Sequence, residues 1–235
     1  MNPVPLMQVQ AFEETIDFLR MAELLRQGCR VSLFIRHSER PPIDPNDKTF
    51  GQALALTPQG ITLAHGVGRL LAGFDDVRFA TSPMVRCRMT AQCIAEGMGL
   101  PDVPVTDEPR LGLGCFYYED PVNLQDVMRQ QGYLSFMLDY FRKGVAPYSR
   151  PLDVATGQMV AWLKDATIRQ LNVLISHDIF IAALLTGLKV RTYSADNWVG
   201  FVHGAAIILT PDGNWLCYPC VPDCAEATQN VSFLH

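Results

Sequence analysis

The sequence predicts an α/β fold: three α/β/α layers around a mostly parallel central sheet, with a small helical cap inserted. Three observations predict it. Short apolar, β-branched runs alternate with segments of helical period. The run Val31–Ile35 carries no outward polar alternation, as expected of a strand covered on both faces. Between 107 and 150 the alternation weakens and aromatic residues accumulate, which marks an insertion. A chain of 235 residues fits one domain, 1–235, with 1–28 as an N-terminal helical extension and 107–150 as the cap.

Along the chain, Phe12, Ile16, Leu19 and Leu24 predict an amphipathic helix over 8–27, stopped at Gly28. Such a helix could cover its own domain or a second copy in a homodimer. A buried strand follows at 31–35. Thr57-Pro58 reads as an N-cap with proline at the first helical position, opening a helix to about 73. Residues 77–81 are a second strand. Ser82-Pro83 repeats the capping signature and opens a helix to about 96. Residues 103–106 read as an edge strand. The cap is mostly helical over 122–142, and most of its aromatic rings serve to pack it onto the core. A helix over 152–170, a strand at 172–176 and a helix over 178–188 come next. Last is a hairpin of 204–210 and 214–218, turned by Pro211-Asp212-Gly213-Asn214.

Composition narrows function. Hydrophobic residues at 49% and charged residues at 18% make a core-forming chain, not a disordered one. No apolar run approaches the ~18 residues of a membrane span. The first thirty residues include Glu13, Glu14, Asp17 and Glu23 and lack a basic start with an apolar block, so no secretory signal is read there. A formal charge of −5 argues against a nucleic-acid partner. Seven cysteines, an odd number scattered along the chain, suggest reduced thiols in a cytoplasm. Cys217, Cys220 and Cys224 cluster, but a structural zinc site wants four ligands, so neither a metal nor a cofactor is expected.

Two strands end in a histidine followed by polar residues: Phe34-Ile35-Arg36-His37-Ser38-Glu39-Arg40-Pro41-Pro42 and Leu174-Ile175-Ser176-His177-Asp178. Ligands of open parallel sheets bind at the carboxyl ends of strands, so His37 and His177 could share one crevice. Arg36 and Arg40 flank the first histidine, and Arg86 lies about a turn into the helix after the second strand. Guanidinium forks match phosphate oxygens, and their convergence in an acidic chain points to a local anion pocket.

These blocks resemble the histidine phosphatase superfamily, the group that includes phosphoglycerate mutase and the histidine acid phosphatases. Arg36-His37-Ser38-Glu39-Arg40 is similar to its Arg-His-Gly signature with serine for glycine. With Pro42 it is similar to the Arg-His-x-x-Arg-x-Pro form of the acid phosphatase branch. Leu56-Thr57-Pro58-Gln59-Gly60 resembles the Leu-Thr-x-x-Gly segment. Residues 82–91 resemble the Ser-Pro-x-x-Arg-x-x-x-Thr-Ala helix, and Ser176-His177-Asp178 the second histidine block. The resemblance implies that His37 takes the phosphoryl group as phosphohistidine, while Arg36, Arg40, Arg86 and His177 hold its oxygens without a metal. In the mutase-like branch the acid is a glutamate, and the corresponding stretch, 109–114, has no carboxylate. In the acid phosphatase branch it is the aspartate after the second histidine, which implies Asp178 here, with Glu119 and Glu39 as runners-up.

Ser38 adds a side chain beside the nucleophile, either a further phosphate donor or a steric limit. Tyr117 and Tyr118 are candidates for substrate contact, and His203 for the pocket rim. His65 reads as structural and Arg88 as a surface or pairing residue. The leading function is hydrolysis of a small phosphomonoester. The alternatives are a phosphomutase, which must exclude water, and a noncatalytic phosphate-binding module. A metal-dependent hydrolase would need more ligands than five histidines, two already placed, provide.

Overall fold

In the computed structural model of the chain, residues 9–44, 47 and 49–223 are described. The alternation read from the sequence becomes one mixed, mostly parallel sheet covered by helices on both faces. Its centre is β3 (Arg30–Arg36), β6 (Leu171–Ser176) and β4 (Val77–Thr81), all parallel, with the three-residue β5 (Val105–Asp107) at the edge. On the other side of β3, β7 (Gly204–Leu209) runs antiparallel and forms the expected hairpin with β8 (Trp215–Val221). Gly213 takes the positive φ (87°) of the turn.

Side-chain alternation along these strands divides the core in two. Val31, Leu33 and Ile35 face α1 (Phe18–Arg26), α2 (Pro58–Leu70) and α3 (Val85–Met98). Phe34, Leu174 and Ile207 face α6 (Leu152–Asp165), α7 (Asp178–Gly187) and the helices α4 (Pro121–Gln131) and α5 (Tyr133–Lys143). Gly132, at φ 86°, breaks the helical stretch read over 122–142 into these two helices. On the first face α2 and α3 nearly touch. A Cβ on Gly68 would come within 2.2 Å of the Ile94 carbonyl, and one on Gly97 within 2.4 Å of the His65 carbonyl.

Three expectations need correction. The helix read over 8–27 starts only at Phe18. Before it, β1 (Gln10–Ala11) and β2 (Ile16–Asp17) add to the β8 edge, and Phe12 stacks on Tyr218 at 4.5 Å. Asp17 caps the helix by accepting from the Arg20 N–H (2.7 Å). Its buried stripe is therefore Phe18, Met21, Ala22 and Leu25, packed on the chain's own core, while Leu19 is exposed.

Ser82 does not cap a helix. Helix α3 begins three residues later with Met84 at the cap position and no side-chain cap bond. By contrast, Thr57 caps α2 as read, accepting from the Gly60 N–H at 2.9 Å. Finally, Cys217 and Cys220 face opposite sides of the sheet, so they do not converge. Cys224 lies outside the described residues.

Candidate active site

Strand register brings the two histidines together. Arg36 pairs with Ser176 across β3 and β6, and the ladder continues one step as the His37 N–H donates to the Ser176 carbonyl (2.9 Å). On the other side of β6, the Ser82 N–H donates to the Ile175 carbonyl (2.9 Å). Three strand ends thus deliver His37, His177 and Ser82 to one place. The imidazoles meet edge to face with centroids 5.6 Å apart.

Hydrogen bonds fix the tautomer of each ring. His37 Nδ1 lies 2.8 Å from the Ser38 carbonyl oxygen. A carbonyl only accepts, so Nδ1 carries the proton and Nε2 keeps its lone pair. For His177 the order reverses: Arg86 Nη2 faces Nδ1 at 3.4 Å and can only donate, which leaves Nε2–H to donate to Ser82 Oγ at 2.9 Å. Burial pushes the His37 pKa well below the ordinary imidazole value, and Arg36, Arg86 and His177 push the same way. Burial and Arg86 hold His177 down at about 3. Both rings are neutral at ordinary pH, which is the state a nitrogen nucleophile requires.

The arginines are braced by backbone carbonyls. Arg36 donates to the Val199 carbonyl (2.6 Å), pairs with Asp178 (3.2 Å) and lies 4.2 Å from the Phe201 ring centroid. Arg86, 4% exposed, donates to the carbonyl of Gly51 (2.7 Å), and Arg40 to that of Pro41 (2.8 Å). Burial, with Arg86 and Arg36 nearby, lowers the Arg40 pKa to about 10. All three carry a buried Nε–H without a hydrogen-bond partner. Buried donors are normally satisfied, so three orphaned guanidinium N–H groups beside two histidines have the chemistry to receive an anion.

Asp178 opens α7 and accepts from the Trp198 indole (3.1 Å) and its neighbour's Ile179 N–H (3.0 Å). Burial alone would raise its pKa, but Arg36, Trp198, His177 and Ile179 outweigh that and hold it below the ordinary carboxylate value.

A cavity of about 790 Å³ opens from this cluster; His37, Arg40, Ser82, Arg86, His177 and Asp178 line one end. The other sequence candidates distribute differently. Tyr118 lines the cavity, whereas Tyr117 is buried in the core, its ring parallel to Phe180. Ser38 is not a phosphate donor: it is fully buried, its hydroxyl donates to the Gly60 carbonyl (2.7 Å), and its N–H donates to Thr90 (2.9 Å). The Glu39 carboxylate accepts from the Thr57 hydroxyl (2.8 Å) and braces α2. Glu119 is exposed outside the cavity lining. His203 packs against Gly200 outside the cavity lining, its carbonyl accepts from the Arg36 N–H (2.9 Å), and burial lowers its pKa to about 4. His65 pairs with Glu96, and Arg88 with Asp107.

Sequence reasoning did not single out Trp198, Phe201, Phe50 or Tyr133. The first two come from an irregular segment with no periodic signal, and the last two reach the cavity from a loop and from the start of α5.

The first comparison to bear on this site is of sequence. Residues 33–112 match the histidine phosphatase superfamily, branch 1. The matched block holds His37, Arg40, Ser82 and Arg86 and ends before His177 and Asp178. No curated protein matches the chain by sequence. Among solved structures, phosphoglycerate mutase from Bacillus anthracis str. Sterne is similar at TM-score 0.53 and 12% identity, over 86% of this chain and 96% of that one. A mycobacterial glucosyl-3-phosphoglycerate phosphatase gives 0.50 at 17% identity, over 82% and 100%. The alpha-ribazole phosphatase of Shigella flexneri gives 0.50 at 15%, over 80% and 94%. The fold is phosphoglycerate mutase-like. Among the described residues, no helix is long and apolar enough to cross a membrane.

Proposed function

We propose that the protein is a metal-independent phosphomonoesterase working through phosphohistidine at His37. One observation carries this reading: His37, with Nε2 unprotonated, lines a cavity together with Arg40 and Arg86, Arg36 pairs with Asp178 on its wall, and each of the three arginines has an orphaned Nε–H. The arginines supply the charge that a cation would otherwise provide.

In the first step the Nε2 lone pair attacks phosphorus; the P–N bond forms, the bond to the ester oxygen breaks, and the leaving alkoxide takes a proton from Asp178. In the second, water attacks phosphorus and gives its proton to the Asp178 carboxylate. The P–N bond breaks, inorganic phosphate leaves, and His37 regains its lone pair. A dianionic phosphoryl group drawing on Arg36 weakens what holds the Asp178 carboxylate ionised. Turnover therefore favours mildly acidic pH, where the bound state can carry that proton. A cavity much larger than a phosphoryl group admits water, which favours hydrolysis over retention of the intermediate by a mutase.

The experiment is intact-protein mass after brief exposure to phosphomonoesters at mildly acidic pH without added metal. The expected result is one added phosphoryl mass in wild type, none in His37→Ala, and a longer-lived adduct in Asp178→Asn. No adduct and no phosphate release would favour a noncatalytic phosphate-binding module instead.

A further inference from the structure

Beyond its anion end, the cavity has a different chemistry. Phe50 and Tyr133 form an aromatic wall, with ring centroids 5.9 Å apart. Tyr118 and Phe180 stand edge to face at 5.4 Å, and Ile43, Leu113, Met84 and Met128 add to the apolar lining. Cavities of this volume, about 790 Å³, enclose drug-sized ligands with mostly apolar walls and a few orienting polar groups.

The charges of this half are equally informative. Its cation, Arg129, pairs with Asp126 and lies 5.5 Å from the Phe50 ring centroid. Asp44 and Asp47 also line the cavity, Asp47 accepting from the Gly51 N–H next to Phe50. Among the described residues, no second arginine cluster stands here to receive a carboxylate or another phosphate. A multiply charged organic acid would meet aromatic surface and aspartates.

Resting on the phosphomonoesterase reading, we infer that the substrate is a phosphomonoester of an uncharged, ring-bearing, largely apolar alcohol. Its ring lies against Phe50 and Tyr133 while its phosphoryl group lies at His37. Offset or edge-on contact with these rings, together with the methionines, supplies the affinity.

The test holds leaving-group basicity nearly constant by using primary alkyl phosphates only. Specificity constants are measured for 2-(2-naphthyl)ethyl phosphate, ethyl phosphate and 3-phosphoglycerate. The expected preference for the naphthyl ester is about 100-fold. Phe50→Ala and Tyr133→Ala should each shrink the naphthyl-to-ethyl ratio by roughly tenfold. Equal or faster turnover of ethyl phosphate or 3-phosphoglycerate would overturn the substrate class and leave hydrolysis standing. If no ester is turned over and His37 takes no label, hydrolysis fails, and calorimetry on the wild-type protein decides the class separately. Tighter binding of the naphthyl ester than of ethyl phosphate would uphold it; equal binding would overturn it.

Discussion

The two ends of one cavity are built differently. At the anion end, His37, Arg86 and His177 are each under a tenth exposed; the histidines sit at strand ends and Arg86 in the first turn of α3, and all are held by backbone carbonyls or Ser82. At the other end Phe50, Tyr133 and Met128 come from a loop and from α4 and α5, and Tyr133 is 39% exposed. A sheet edge with fixed register can hold reacting groups to the tolerance that phosphoryl transfer demands. A cap of short helices can change its side chains without disturbing that register. On the proposed function, the chemistry falls to the strand ends and α3, and the choice of substrate to α4, α5 and the loop of Phe50.

The largest expected effect tests the first half of that division. His37→Ala should lower kcat by roughly 10⁴–10⁶-fold for every ester alike, as loss of a covalent nucleophile does. An ester that is still turned over would break the division, because the cap would then contribute chemistry of its own.

Asp178→Asn should cost about 10²–10⁴-fold in kcat and flatten the pH profile. Trp198→Phe sharpens this point. It removes one of the bonds holding the carboxylate low, so the pH optimum should move upward while the substrate preference stays put. A change in preference with no change in profile would place Trp198 in the substrate end instead.

Stability against pH should report the buried histidines. His177 and His203 have folded values of about 3 and about 4 against an ordinary 6.5, so the unfolded chain binds more protons between these limits. Stability contributed by keeping them neutral is complete above about 6.5 and is lost as pH falls through that window. Denaturant midpoints should therefore drop from about pH 6 downward, and saturating phosphate should reduce the slope by favouring charged His177. A flat midpoint would contradict the burial of these rings.

The smallest effects concern the support of the anion end. A Cβ at Gly60 would meet the Glu39 carbonyl at 2.2 Å, so Gly60→Ala should destabilise by about 1–3 kcal/mol. Ser38→Gly should cost about 1 kcal/mol through the lost bond to Gly60 while leaving kcat within a few-fold. A large loss of kcat in Ser38→Gly would mean that this hydroxyl reaches the phosphoryl group after all.

Much of this was legible in one dimension. Thr57-Pro58 starts α2 because a threonine side chain can satisfy a helix-end N–H within its own turn. The strand-end histidines could be named because an apolar run that stops at a polar block is itself a local signal. Ser82-Pro83 carries the same local signature as Thr57-Pro58 and was misread, because Ser82 accepts from His177 instead of capping α3. Tyr117 and Tyr118 are adjacent and alike in sequence. Both rings meet Phe180 of α7, but Tyr117 lies wholly in the core while Tyr118 also lines the cavity.

The sequence by itself determined the layered class and the central strands, and it named the histidines and arginines that the proposed function uses, since each depends on periodicity or residue chemistry within a short window. The tertiary structure alone decided that β6 lies between β3 and β4. That order places His177 between His37 and Ser82 and sets the partners that select each imidazole tautomer. Pairing between distant strands is set by the burial of the whole sheet, and no short window of residues contains it.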